Sequence, residues 1–197
     1  MQRITLSGNS VAVNLTGFLS NATGATWTLT ATDSADSLAH LVTIRNDTAT
    51  DHSGKTALLT GTNANGHVLT ETITLPAGAA TVTSTAYFKT LTTVVPSATI
   101  GADTMDIGWS ASSTTSWYFP PNTNTPEFNI GIGCRVVSGA PTYAVQHTFD
   151  GTAWFNHPII TGQTVSYDGD YTTPVTAIRL QFTAAGEVSL FGIQVGA

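Results

Sequence analysis

The sequence has very few charged residues, and this is its most informative absence. Only 9% of the 197 residues are Asp, Glu, Lys or Arg, against about 25% in ordinary soluble domains. Threonine, by contrast, accounts for about one residue in five, and β-branched side chains favour strands. The composition therefore predicts an all-β protein. Its surface would be solvated by hydroxyl and amide groups, which suits a chain that packs against other subunits.

Basic residues are too few and too scattered to bind nucleic acid. The formal net charge is −6, whereas a nucleic-acid partner requires a cluster of Lys and Arg that neutralises phosphates. The six basic residues form no cluster along the chain; they are Arg3, Arg45, Lys55, Lys89, Arg135 and Arg179.

Cysteine and long apolar segments are also scarce. Cys134 is the only cysteine, which excludes an intramolecular disulfide and a cysteine metal cage, and its strand-like surroundings at 127–137 predict a buried thiol. No segment has the roughly 18 apolar residues that cross a bilayer. The first fifteen residues lack the features of a secretory signal. We therefore expect synthesis in a cytoplasm and no membrane partner.

Strand-like alternation dominates the first half of the chain. The pattern in 26–32 places Trp27 on the apolar side of a strand and predicts a core residue. Asn65-Gly66 lies between two alternating segments and predicts a tight β-hairpin. The strands expected in this half are 26–32, 41–45, 56–61, 67–75, 87–95 and 104–109.

The second half shows the same alternation after an irregular segment. Turns are expected at 138–141 and 184–186, and a long loop at 151–173. The expected strands are 127–137, 142–150, 174–183 and 187–195.

The segment between the two halves is rich in Ser, Thr, Asn and Pro and predicts a crossover. The resulting fold prediction is all-β, with two β-sandwich-like domains at 1–109 and 127–197 joined by a linker at 110–126. One continuous sandwich with an interrupted sheet is the alternative.

No catalytic or metal-binding pattern is present in the sequence. The segment Asp168-Gly169-Asp170 is interpreted as a turn rather than a calcium loop, because a calcium loop offers more oxygen ligands in succession. The histidines have no metal-ligand spacing, and no nucleophile elbow or glycine-rich phosphate loop occurs. We expect a protein that is not an enzyme, with no cofactor and no metal. The five histidines are His40, His52, His67, His147 and His157.

Aromatic residues near predicted loops are the candidate binding residues. At subunit interfaces such residues act as anchors; they also pack in ordinary cores, and exposed rings can stack on sugars. All three interpretations stay open from the sequence. The candidates are Trp109, Trp117, Tyr118, Phe119, Trp154 and Tyr171.

Two stretches of the chain carry distinctive strand and turn motifs. The first runs from LAHLVTIRN to YFKTLTTV and includes TGT, NANG and TETITLP; the second runs from TYAVQHTFDG through WFNHP and PVTAIRLQFT to VSLFGIQ. Both stretches resemble virion proteins of tailed bacteriophages. The resemblance implies an all-β particle component in many copies, without catalytic residues. The expected role is an auxiliary capsid protein, of the decoration or cement type, located in the virion and homo-oligomeric. Its partners would be the major capsid protein or neck and tail proteins. The alternatives are a head–tail connector, collar or tail component, and a carbohydrate-binding module.

Overall fold

A computed structural model describes residues 2–121, 123 and 128–195. Within those residues the regular secondary structure consists of β-strands alone, so the prediction of an all-β, sandwich-like fold is confirmed. The twelve strands are β1 (Gln2–Ser10), β2 (Asn14–Ala22), β3 (Ala39–Asn46), β4 (Thr56–Thr62), β5 (Val68–Thr74), β6 (Thr81–Phe88), β7 (Thr90–Pro96), β8 (Met105–Thr114), β9 (Asn129–Thr148), β10 (Phe155–Asn156), β11 (Tyr167–Tyr171) and β12 (Ala177–Val195).

The chain divides into two compact units. Unit 1 combines Met1–Val11 with Thr114–Ala197, and unit 2 is Ala12–Ser113. This division differs from the boundaries predicted at 109 and 127. The first residues belong with the C-terminal half because β1 pairs with β12 along its whole length. This pairing joins opposite ends of the chain, and the local alternation of residues does not predict it. Part of the predicted linker at 110–126 is strand, since β8 continues through it to Thr114; residues 122 and 124–126 lie outside the described residues.

Unit 2 is built from two sheets. In one, β8, β3 and β6 are neighbours and β2 pairs with β8; in the other the order is β5–β4–β7. The predicted hairpin joins β4 and β5, with Gly66 at φ 83°. The Asn63 amide donates to the carbonyl of His67 at 2.9 Å. Strand residues that point inward form an apolar core that includes Ile44, Leu59 and Met105, all fully buried.

Two strand predictions in unit 2 are wrong. Residues 26–32 form no strand, and Trp27 makes only an isolated bridge with Val94. Residues 87–95 are interrupted at Lys89, where the chain leaves one sheet for the other: β6 pairs with β3, while β7 pairs with β4. Alternation predicts a strand but not the strand it pairs with, so the pattern alone could not show this change of sheet.

Unit 1 is organised around a ribbon of two long antiparallel strands. β9 has 20 residues and β12 has 19, so the turns predicted at 138–141 and 184–186 are wrong. The two predicted turns lie opposite each other in the ribbon, because Gly139 pairs with Gly186. A Cβ on Gly186 would lie 2.6 Å from Cδ of Pro141, so only glycine fits there. The two glycines lie where the pairing register of one continuous ribbon shifts, rather than in two separate hairpins.

The long loop predicted at 151–173 also contains regular structure. Asp168-Gly169-Asp170 forms the middle of β11, which pairs with residues 130–134 of β9. The turn predicted there is therefore wrong. In register with β9, the two aspartates point to one side of the strand and Tyr171 to the other, where Tyr171 is buried.

Cys134 is buried in unit 1, as predicted. Burial raises the pKa of its thiol to about 12, and the thiolate is the form that reacts with alkylating reagents. We therefore expect iodoacetamide to label Cys134 only after unit 1 unfolds, as read by intact-mass spectrometry across a urea titration. Rapid labelling in buffer without denaturant would contradict this burial.

Candidate functional site

Trp109, one of the candidate aromatic residues, is part of the core of unit 2. Its ring packs edge-on against Phe18 at a centroid distance of 5.1 Å, and its Nε1 donates to the carbonyl of Ala12 at 3.1 Å. The ring lies close to Gly17, where a Cβ would lie 2.0 Å from Trp109 Cζ3. Trp109 is 9% exposed and therefore offers no ring face to a ligand.

Trp117 and Trp154 contact each other in unit 1. Their ring centroids are 5.1 Å apart, and Trp117 also lies 6.0 Å from Phe119. The guanidinium carbon of Arg179 lies 3.9 Å from the centroid of Trp154, a close cation–π contact. The structure thus brings three of the candidate aromatics together, around a cation that the sequence did not single out.

Arg179 is buried and held by a network of amide side chains. Its Nε donates to Oε1 of Gln146 at 2.9 Å. Nε2 of Gln146 in turn donates to Oδ1 of Asn156 at 2.9 Å and to Oε1 of Gln181 at 3.1 Å. These contacts fix the guanidinium against Trp154, so one face of that ring is occupied by the protein itself. Within the cluster, Phe119 is the exposed ring.

The two candidate tyrosines differ in their surroundings. Tyr118 is half-buried and exchanges two backbone hydrogen bonds with Ile178, at 2.8 and 2.9 Å. Tyr171 is buried, and burial raises the pKa of its hydroxyl. Its Oη lies 3.2 Å from Nδ1 of His147. Tyr171 therefore supports neighbouring side chains rather than presenting a ring to solvent.

A second aromatic group lies at the end of β9; Phe155, beside a predicted loop, was one of the aromatic residues noted from the sequence, whereas Phe149 was assigned only to a strand. Phe149 and Phe155 are each about half exposed, and their rings are 6.1 Å apart. His147 contacts both rings, at 5.3 and 5.8 Å. Burial and the nearby His157 lower the pKa of His147, which favours its neutral form. We call Phe149, Phe155 and His147 the phenylalanine patch.

One side of the four-stranded part of unit 1 is open. The strand order there is β1–β12–β9–β11. Alternate residues of these strands, such as Ile4, Leu190 and Ile132, are buried in the core, and the residues between them point outward over a groove of about 750 Å³. We call this surface the open face. Its first row across the strands is Arg3, Ile193, Gly131 and Asp170, and its second row is Thr5, Phe191, Gly133 and Asp168.

The buried histidines are held by backbone and carboxylate groups. His40 Nε2 lies 2.7 Å from Asp36 Oδ2, and its Nδ1 lies 2.9 Å from the carbonyl oxygen of Ser110. Both ring nitrogens are therefore engaged, and neither faces a serine hydroxyl as a catalytic triad requires. In the part of the chain that the structure describes, no group of three or more His, Cys, Asp or Glu side chains is placed to hold a metal ion.

Comparisons of the chain with protein-family models, with curated proteins and with solved structures give no match. Within residues 2–121, 123 and 128–195, no helix is long and apolar enough to cross a lipid bilayer.

Proposed function

We propose that this chain is a structural component of a tailed-phage virion, and that it stabilises the capsid as a decoration or cement protein. The observation that carries the proposal is the distribution of exposed apolar side chains. Among the described residues, nine of the thirteen exposed large apolar side chains belong to unit 1 and four to unit 2. The nine are Phe119, Val137, Phe149, Phe155, Ile159, Val165, Tyr167, Phe191 and Ile193.

Exposed apolar side chains that contact one another are typical of interaction surfaces. Contiguous apolar patches rimmed by polar residues mark binding sites, and the centres of interfaces are rich in aromatic residues and poor in charge. The phenylalanine patch has this character: Phe149 and Phe155 adjoin a histidine whose neutral form is favoured. Unit 1 is therefore the unit to which we assign capsid binding.

A protein that binds the assembled shell, and not its free subunits, stabilises the shell by mass action. We expect particles that lack this chain to release their DNA at a lower temperature, and purified chain added back to restore the wild-type release temperature. The Phe149→Ser/Phe155→Ser variant should fold but fail to restore it, because the centre of the contact is lost. The release temperature is measured by following the fluorescence of an intercalating dye while the particles are heated.

Val68→Ser is the matched control for this variant. Val68 is 81% exposed and lies in unit 2, so its replacement also removes a large exposed apolar side chain. We expect Val68→Ser to restore particle stability as well as the wild-type chain does. If Val68→Ser fails and the double phenylalanine variant succeeds, unit 1 is not the capsid-binding unit.

A further inference from the structure

The two halves of the open face are opposite in character. On one half, β1 and β12 provide a cation and bulky apolar groups, namely Arg3, Ile193 and Phe191. On the other half, β9 and β11 provide glycines and carboxylates. Ile193 and Phe191 are 44% and 47% exposed. Arg3, Asp168 and Asp170 are also exposed. In the described residues none of these three side chains forms an ion pair.

The halves are complementary to each other under a two-fold rotation. Consider a second copy placed face to face and turned by 180° about an axis parallel to the strands, between β12 and β9. This rotation exchanges β12 with β9 and β1 with β11 but keeps each row at its own level. The register then places Phe191 over the partner's Gly133, Ile193 over the partner's Gly131 and Arg3 over the partner's Asp170.

We propose that two copies of this chain pack together through the open face in this two-fold arrangement. The shapes match, because each bulky side chain meets a glycine. A Cβ built on Gly131 or Gly133 meets no atom within 4 Å, so the space above both is open. Packed sheets lie about 10 Å apart, a gap that an apolar side chain fills when the facing residue is glycine.

The charges match as well. Each Arg3 faces the partner's Asp170, and each Thr5 hydroxyl faces the partner's Asp168. Within one copy, Arg3 and Asp170 are at opposite ends of a row of four strands, about 14 Å apart at the usual strand spacing. They are thus too far apart to pair with each other but are placed to pair across the two-fold axis.

The other face-to-face arrangement is disfavoured by charge. A two-fold axis perpendicular to the strands would place β1 over β1 and β11 over β11. Asp168 and Asp170 would then face the partner's same two carboxylates, and like charges brought together in an interface are costly. The axis parallel to the strands avoids this repulsion.

The size of the open face sets the expected strength of the contact. Four strands and two rows cover about 20 Å by 14 Å, well below the roughly 800 Å² per partner of a standard interface. We expect a weak dimer that forms at high concentration. The proposal concerns the isolated chain, so its outcome does not depend on the virion role.

Sedimentation velocity from micromolar to millimolar concentration tests the proposal, with Gly133→Val as the principal variant. Valine suits an open strand position, so the monomer should keep its thermal stability, but the side chain occupies the space that Phe191 of the other copy needs. We expect dimerisation to weaken about tenfold or more. Gly54→Val is the control: Gly54 is also open to solvent but lies in unit 2, so dimerisation should be unchanged.

Charge reversal tests the pairing itself. Arg3→Asp alone and Asp170→Arg alone should each weaken the dimer, and the double variant should restore it, because both charges are exchanged across the axis. A wild-type chain that stays monomeric at millimolar concentration would overturn the proposal. So would a dimer that Gly133→Val leaves intact, or a double charge variant no better than the single ones.

Discussion

Trp27→Ala should lower the free energy of unfolding by about 3–5 kcal/mol, the usual cost of truncating a large core aromatic residue. Trp27 is 6% exposed and bridges to Val94, itself 2% exposed. Alanine would leave a cavity in the core of unit 2, and surrounding groups relax only partly into such a space. Urea denaturation followed by circular dichroism measures the loss.

The indole nitrogen of Trp27 allows a sharper version of this test. Nε1 is buried and has no hydrogen-bond partner among the described residues, and an unpartnered buried donor is itself destabilising. Trp27→Phe removes that donor and keeps most of the ring, so it should cost much less than Trp27→Ala.

Trp117→Ala is the matched control for Trp27→Ala, because Trp117 is only half-buried and lies in unit 1. Its replacement should affect assembly more than the stability of the isolated chain. If Trp117→Ala unfolds the chain and Trp27→Ala does not, the packing described for unit 2 is wrong.

The second large effect is expected at Arg45, whose Nη2 lies 2.5 Å from the buried Oδ2 of Asp106. Burial alone would raise the pKa of Asp106, but hydrogen bonds from the Asn21 amide and from Arg45 outweigh it, and the net pKa lies below its ordinary value. Arg45→Met would leave the buried carboxylate of Asp106 without the cation that offsets the cost of burying its charge. We expect the free energy of unfolding to fall by about 3 kcal/mol at pH 7, at the low end for a broken buried pair because the Arg45 side chain is about one-third exposed.

The pH dependence of this loss follows from the sign of the shift. A carboxyl group whose pKa is lowered by folding stabilises the native state at pH values above its pKa in the unfolded chain, which is 3.8. This contribution disappears as the pH falls through the pKa of the group in the folded chain. In Arg45→Met, burial without the guanidinium should raise the pKa of Asp106. The stability difference between the variant and the wild-type chain should therefore begin to shrink while the pH is still above 3.8, and it should be smallest below the lowered pKa of Asp106 in the wild-type chain.

Asp47→Asn is the control for Arg45→Met. Nε of Arg45 lies 3.0 Å from Oδ1 of Asp47, and both of these side chains are about one-third exposed. An exposed ion pair contributes about 0–1 kcal/mol, so Asp47→Asn should have a small effect. A loss as large as that of Arg45→Met would show that the buried Asp106 is not the source of the destabilisation.

Local signals predicted the local structure well and the long-range structure poorly. The Asn-Gly turn identified the β4–β5 hairpin because a tight turn needs a positive φ at that residue. The turns predicted near Gly139 and Gly186 are wrong, because two glycines that face each other in a ribbon look the same in sequence as two separate turns. The pairing of β1 with β12 has no local signal, since its hydrogen bonds join opposite ends of the chain.

The same limit applies to the candidate surfaces. The position of aromatic residues near predicted loops indicated Trp117, Phe119 and Trp154 but not the open face, which depends on the pairing of β1 with β12 and of β11 with β9. The sequence contains part of the pattern of the open face. Gly131 and Gly133 alternate with the apolar residues at 130 and 132, and Phe191 and Ile193 likewise occupy alternate positions of their strand. Only the register shows that the glycines and the bulky residues lie in the same rows.

The most direct test of the account is the number of copies of this chain in purified phage particles, measured by quantitative mass spectrometry against the major capsid protein. As a decoration protein, the chain should be present in numbers comparable to those of the major capsid protein. A few copies per particle would instead place it at the neck or tail. Its absence from purified particles would contradict the virion assignment.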